Sequence, residues 1–260
     1  MSFTEYWTKK SRKPRSGEIY GSYRIDDFMV ETEFSIIYSS TYLKDGSKKA
    51  AKFIKCLKSR EERIFDEIRI LEKVNHQNIL KLEYHNRFDP YIMIVTNLAP
   101  FKSLYKFTND YYKDGMPPNV AQFVMRQMVS AVHYLHSLEI WHRDIKPQNF
   151  LVFNTDVEKP YVVLADLGSA KQYQKLETDN HFIGTRLYMS PELINHSYYK
   201  NSSDIWSLGI TFYFILTGQY AFEFSDDPDD VDYTKRIRNT ELNYQLLIDL
   251  DVPDEAVDII

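Results

Sequence analysis

A single cysteine, Cys56, occurs in 260 residues, which excludes a disulfide framework within the chain and a zinc site built on several thiolates. That scarcity suits a reducing compartment, so the expected location is the cytoplasm or the nucleus. Met1 to Lys10 holds no apolar run of the kind a secretory signal needs. There is no internal repeat and no long low-complexity tract, and no glycine lies between Gly21 and Gly46. Long uncharged runs are scarce too. Ile205 to Phe222 is 18 residues without a charge, at the length threshold for a membrane span, but Ser207, Gly209, Thr211, Thr217, Gly218 and Gln219 interrupt it and no basic flank follows. It reads as a buried core helix, and no membrane partner is expected.

The formal net charge is −5 at pH 7 and is unevenly spread. Within residues 1–17, Lys9, Lys10, Arg12, Lys13 and Arg15 face only Glu5, so this stretch carries +4 and the remainder −9. A body that acidic argues against broad nucleic-acid binding, which depends on Lys and Arg neutralising phosphates, and no nucleic-acid partner is expected. Residues 1–22 end in Gly21-Ser22, show no apolar periodicity and read as a basic flexible tail. With 43% hydrophobic residues, the rest can bury one large core or two modest lobes.

Phe34 to Ser40, Lys49 to Lys55 and Pro90 to Asn97 are short β-branched or aromatic runs separated by turn chemistry such as Lys44-Asp45-Gly46-Ser47, and read as strands. Between the last two, Ile64, Ile68, Leu71 and Val74 share one face of a helix within Ser59 to Asn75. After Pro100 the pattern turns helical, with Val124, Met128, Val132 and Leu135 on one face, and Tyr161 to Ala165 is a short apolar strand. Strands first and helices second imply an α+β chain of two lobes. The expected N-lobe is an antiparallel sheet with one helix over 23–97. A mainly helical C-lobe follows over 98–260, with ligand expected in the cleft between the lobes.

The densest chemistry is His142-Arg143-Asp144-Ile145-Lys146-Pro147-Gln148-Asn149, followed by Asp166-Leu167-Gly168. Phosphoryl transfer needs a carboxylate to orient the attacking hydroxyl, plus an amide oxygen and a second carboxylate to hold Mg²⁺ against triphosphate charge. Asp144, Asn149 and Asp166 supply those three groups. The two stretches resemble the catalytic loop and metal-binding motif of the eukaryotic serine/threonine protein kinases, with Leu167 where Phe is usual. Further motifs fall in the family's order over roughly residues 23–260. Ala50-Ala51-Lys52 resembles the third-strand lysine motif, and Glu67 follows as its ion-pair partner. Gly184 to Glu192 resembles the end of the activation segment. Asp204-Ile205-Trp206-Ser207-Leu208-Gly209 resembles the start of a large buried helix whose aspartate anchors the catalytic loop.

The resemblance implies an enzyme that uses ATP and Mg²⁺ to phosphorylate a protein substrate. Asp144 would act on the substrate hydroxyl, Lys146 would sit beside the transferring phosphate, and Lys52 with Glu67 would hold the α- and β-phosphates. Asn149 and Asp166 would bind the metal. Backbone groups of Asn97 and Ala99 would meet adenine, Ala50, Ile37 and Leu151 would pack its faces, and Val30 would lie in the phosphate-covering lid. Asp-Ile-Lys-Pro from Asp144, together with Thr185, resembles the serine/threonine branch rather than the tyrosine branch. Arg143 implies control by a phosphate on the activation segment. The usual acceptor position holds His181, which leaves either Thr178, modified by an upstream kinase or regulatory partner, or activity independent of phosphorylation.

Two departures support an alternative reading as a catalytically weak or inactive kinase-like scaffold. The lid would place Val30, Thr32 and Ser35 where the family carries glycines that let backbone approach phosphate, so weak nucleotide affinity is expected. Asp254 to Ile260 reads as the opening of a helix, several tens of residues short of a usual C-lobe, and Glu192 is expected to lack its arginine partner. Glu223, Asp226, Asp227, Asp229, Asp230 and Asp232 read as a solvated acidic loop rather than a basic-substrate dock, because Ser103 and Gln148 stand where arginine-directed kinases carry acids.

Overall fold

A computed structural model of the protein describes residues 12–57, 59–100, 103–154, 156–173, 184–194, 199–222, 235, 237, 242–258 and 260. The chain divides into two compact units, Met1–Asn75 with Leu80–Ala99, and His76–Ile79 with Pro100–Ile260. The first is built on a six-stranded antiparallel sheet of β1 (Ile19–Tyr20), β2 (Tyr23–Glu31), β3 (Ser35–Tyr42), β4 (Lys48–Lys55), β5 (Leu82–Phe88) and β6 (Tyr91–Asn97), in the order β1-β2-β3-β4-β6-β5. Helix α1 (Glu61–Lys73) completes it.

Alternation along the strands sorts the sheet into two faces. Tyr38, Ala51, Phe53, Met93 and Val95 point one way, into a buried cluster with Tyr23, Ile25, Ile36 and Tyr91. Phe53, fully buried, takes edge-on contacts from Tyr20, Tyr38 and Tyr91; such pairs each add about 0.5–1.5 kcal/mol beyond area burial. On the opposite face the register sets Val30 beside Ile37, Ile37 beside Lys52, and Lys52 beside Ile94.

Strands β3, β4 and β6 coincide with the three runs legible in the sequence, while the two-residue β1 and the longer β2 and β5 are additions. Both are largely exposed and carry charges, Arg24, Asp26 and Asp27 in one and Glu83 and Arg87 in the other. With so little of either strand buried, too few apolar positions remain for an alternation to show. The tail expected over 1–22 is corrected for Arg12 to Ser22. Tyr38 Oη donates to the buried carbonyl of Pro14 at 2.6 Å, Gly17 N donates to Ile25 O at 2.8 Å, and Ile25 N donates to Glu18 O at 2.8 Å. Arg12 pairs with Glu18 and Lys13 with Glu31. Docking therefore rests on hydrogen bonds to main-chain groups and on charge pairs, which leave no apolar period to read.

The second unit is mainly helical, with α2 (Leu104–Tyr111), α3 (Pro118–Ser137), α4 (Pro191–Ile194), α5 (Asn201–Thr217), α6 (Tyr244–Asp249) and α7 (Asp254–Val257). Two short antiparallel pairs frame its loops: β7 (Ile140–Trp141) with β10 (Lys171–Gln172), and β8 (Phe150–Val152) with β9 (Val162–Leu164). Pro118, at the first position of α3, lacks only an N–H that no helical partner would accept. Helix α5 is apolar nearly all round and buried over most of its length, as a core helix should be. Its hydroxyls are satisfied inside, Ser207 Oγ donating to Tyr188 O at 2.7 Å and Thr211 Oγ1 to Ser207 O at 2.8 Å. Among the described residues no helix is long and apolar enough to cross a membrane. A sheet unit followed by a helical unit makes the fold α+β.

The Tyr38 hydroxyl is the tie between the Pro14 segment and the sheet. Tyr38→Phe keeps the ring and strands a buried carbonyl, so unfolding free energy is expected to drop by about 1–2 kcal/mol; urea denaturation of both proteins measures it.

Candidate functional site

In the helical unit the site is organised by one buried carboxylate. Asp204, in the first turn of α5, has no exposed surface. Its Oδ2 accepts from His142 N at 2.9 Å and lies 2.9 Å from His136 Nε2; its Oδ1 accepts from Arg143 N at 2.9 Å and from Tyr199 Oη at 2.6 Å. Burial alone would raise the carboxyl pKa. The bonds from His136 and Tyr199, with the field of His142, outweigh burial and hold it below the ordinary value. The N–H groups of His142 and Arg143 need this acceptor because Arg143 turns into the left-handed region at φ 67°, which no regular ladder accommodates.

That turn presents Asp144. Its Oδ1 accepts from Thr185 Oγ1 at 2.8 Å and its Oδ2 from Lys146 Nζ at 2.7 Å, while Lys146 Nζ also reaches Thr185 Oγ1 at 2.7 Å. Carboxylate, ammonium and hydroxyl thus form a closed triangle. Asn149 Nδ2 donates to Asp144 O at 2.7 Å and to Oδ2 at 3.1 Å. Thr185 arrives through Gly184, at φ 116°, where an added Cβ would stand 2.8 Å from Arg143 O. Only glycine permits both that backbone conformation and that approach.

The β8–β9 pair sets the oxygen donors side by side. Phe150 pairs with Leu164, and Ala165 N donates to Asn149 O at 2.8 Å, so Asn149 stands next to the residue preceding Asp166. Asp166 is exposed and left-handed at φ 55°, and its Oδ1 accepts from Gly168 N at 3.4 Å. His142 Nε2 donates to Ala165 O at 3.3 Å and Nδ1 accepts from Asp144 N at 3.3 Å, so one imidazole spans both segments. Leu151, half-buried on β8, pairs with Val163 and bridges Ser103.

In the sheet unit, Lys52 Nζ donates to Glu67 Oε1 at 2.8 Å, with Glu67 buried on α1. Register places Val30, Ile37, Ala50 and Lys52 on one face; Val30 is exposed and Ile37 and Ala50 half-buried. Asn97 ends β6, its Oδ1 accepting from Lys49 Nζ at 2.8 Å, and Ala99 follows half-buried. The hairpin between β2 and β3 is closed by side chains. Thr32 Oγ1 accepts from Ser35 N at 3.1 Å and from Phe34 N at 3.4 Å, and lies 2.9 Å from Ser35 Oγ.

Thr178, His181 and the acidic residues Glu223 to Asp232 lie outside the described residues. Glu192, expected to lack a partner, is half-buried and its Oε1 accepts from Ser203 Oγ at 3.0 Å. His136, Tyr199, Trp141 and Tyr173 also belong to the network and carry no motif in the sequence; Tyr199 could have been found only by its nearness to Asp204.

The protein kinase domain model matches residues 24–260. The chain belongs to the protein kinase family. This kinase domain is 35% identical to a probable myosin light chain kinase of Dictyostelium discoideum over 82% of this chain and 44% of that one. It is 30% identical to the rat serine/threonine-protein kinase ULK3, over 90% of this chain and 51% of that one, and 29% to the mouse ULK3 over the same shares. It spans about half the length of these curated relatives.

Two changes test how this kinase domain holds its loop. Gly184→Ala is expected to push Thr185 away from Asp144 with the protein still folded by circular dichroism, and to lower any phosphoryl transfer that Asp144 supports by about tenfold or more. For Asp204, the folded pKa lies below the unfolded value of about 3.9, so its stabilisation is complete above that value and is lost as pH falls through the folded one. Denaturant midpoints between pH 7 and pH 3 should therefore fall more steeply for the native protein than for Asp204→Asn. At pH 7 the variant should already be weaker by about 3–5 kcal/mol.

Proposed function

We propose that this kinase domain transfers the γ-phosphoryl group of ATP to serine or threonine hydroxyls of protein substrates. The observation that carries the reading is the triangle of Asp144, Lys146 and Thr185, a carboxylate whose two oxygens are each held by a donor. So held, Asp144 accepts the hydrogen bond of an incoming hydroxyl and takes its proton as the new oxygen–phosphorus bond forms. The bond to the bridging oxygen breaks and ADP departs with the electron pair. Lys146, 2.7 Å from Asp144, places its ammonium where negative charge gathers on the transferring group.

Lys52, oriented by Glu67, is assigned to the α- and β-phosphates. Asn97 and Ala99 are assigned to adenine through their backbones, with Ala50, Ile37 and Leu151 on its faces. Asn149 and Asp166 fit Mg²⁺ by their chemistry, because both are oxygen donors and Asn149 turns its Nδ2 to Asp144, leaving Oδ1 for a cation. When bound, the ion neutralises phosphate charge. Val30 and Thr32 supply a lid whose tip amides at Phe34 and Ser35 already point at Thr32 Oγ1. This supports a loose grip on nucleotide. Serine/threonine specificity draws support from Lys146 and Thr185 and from the similarity to the ULK3 serine/threonine-protein kinases. An intracellular setting, which supplies ATP and Mg²⁺, accords with the lone Cys56.

Phosphorylation of a generic protein substrate with Mg-ATP tests this, comparing the native domain with Asp144→Ala and Asp166→Ala. Asp144→Ala is expected to lower turnover by about 10²–10⁴-fold, and Asp166→Ala to remove the Mg²⁺ dependence together with the activity. Equal signal from all three would leave a kinase-like binding module instead.

A further inference from the structure

Arg60 puts a cation where its own helix disfavours one. It directly precedes Glu61, the first residue of α1, and a helix N-terminus prefers negative charge, which Glu61 and Glu62 supply. Its main chain is spent on the entry to the helix, N donating to Leu57 O at 2.8 Å and O accepting from Ile64 N at 3.2 Å. The side chain makes no capping bond. Instead the guanidinium lies over the Phe34 ring, with Cζ 3.3 Å from the centroid, well within reach of the negative face of the ring.

Phe34 stands at the tip of the hairpin assigned to cover phosphate. The register runs Val30 beside Ile37 and Glu31 beside Ile36, and the chain turns between them. That turn closes on itself, Thr32 N donating to Ser35 O at 2.8 Å while Thr32 Oγ1 accepts from Phe34 N and Ser35 N. One side is tied to β4, where Lys55 N donates to Phe34 O at 2.9 Å and Ser35 pairs with Ile54. Glu31, Thr32 and Glu33 are exposed, and the Lys13–Glu31 pair is open to water and weak for that reason. Phe34 is half-buried, and its ring is where Arg60 takes hold of the tip.

We infer that Arg60 is a positioning residue that latches the phosphate-covering hairpin to α1. The same helix carries Glu67, whose carboxylate takes Lys52 Nζ at 2.8 Å. The latch therefore sets the tip of the lid and the lysine assigned to the α- and β-phosphates in one frame. A lid already held in place gives up less freedom when it covers a triphosphate, and the freedom saved appears as affinity. Arg60 thereby offsets part of what a lid without glycines loses. Its part in nucleotide binding rests on the proposed kinase activity.

Calorimetry of Mg-ATP binding to the whole chain tests this. Arg60→Ala should raise Kd by about two- to fivefold, the range that a partly exposed cation–π contact supports, and the KM for ATP should follow it with kcat within about twofold of native. That cost should vanish in a Phe34→Leu background, which lacks the ring, and persist in Phe34→Tyr, which keeps it. The two backgrounds separate a latch from the plain loss of a positive charge near a polyanion, which costs the same in either. Amide hydrogen exchange over residues 32–36, measured without nucleotide, should quicken in Arg60→Ala and Phe34→Leu alike. An unchanged or lower Kd in Arg60→Ala, an equal cost in the Phe34→Leu background, or unchanged exchange over the tip overturns the latch and leaves the kinase reading standing. A native chain that binds no Mg-ATP overturns both.

Discussion

The helical unit depends on a negative charge placed where water cannot reach it. Asp204 is a poor residue for a core by itself, because an isolated buried carboxylate costs several kcal/mol. Here it gathers two main-chain N–H groups, a phenol and an imidazole into one point. The main-chain donors belong to His142 and Arg143, so the turn that leads to Asp144 is hung from a helix buried over most of its length. Remove the carboxylate and each donor becomes a buried group in need of a partner.

From that anchor the rest of the site follows by short steps. Arg143 turns left-handed, Asp144 faces outward, and Gly184 packs so closely against the turn that Thr185 has one place to go. The imidazole of His142 bonds to Ala165 O on one side and to Asp144 N on the other, which couples the residues around Asp166 to those around Asp144. In the sheet unit the Lys52–Glu67 pair is set independently, by β4 on one side and a buried position of α1 on the other.

Much of this is legible in the sequence. His142 to Asn149 and Asp166 to Gly168 are contiguous runs, and chemistry confined to a single loop leaves its spacing in the sequence. Strands β3, β4 and β6, the more buried ones of the sheet, announce themselves through β-branched and aromatic residues. What escaped notice depends on residues far apart in the chain. Tyr173 has meaning only beside Arg143, thirty residues earlier, and nothing local marks it. The docking of Arg12 to Ser22 escaped for a different reason: its bonds are made largely by backbone, which every residue has. Glu192, for which the family pattern implies an absent arginine, takes a bond from a serine one helix away that no local pattern marks.

The segment around Pro14 bears on what the sheet can do for other proteins. Its carbonyl takes the Tyr38 hydroxyl and Tyr20 lays its ring on Phe53 and Phe88, so part of the aromatic side of the sheet is covered by Pro14 to Tyr20. A surface that rich in rings would otherwise be an adhesive patch. Covered in this way, Tyr38 and Phe53 are withdrawn from other proteins, while Phe28, whose ring meets Tyr38 edge-on, stays open to touch.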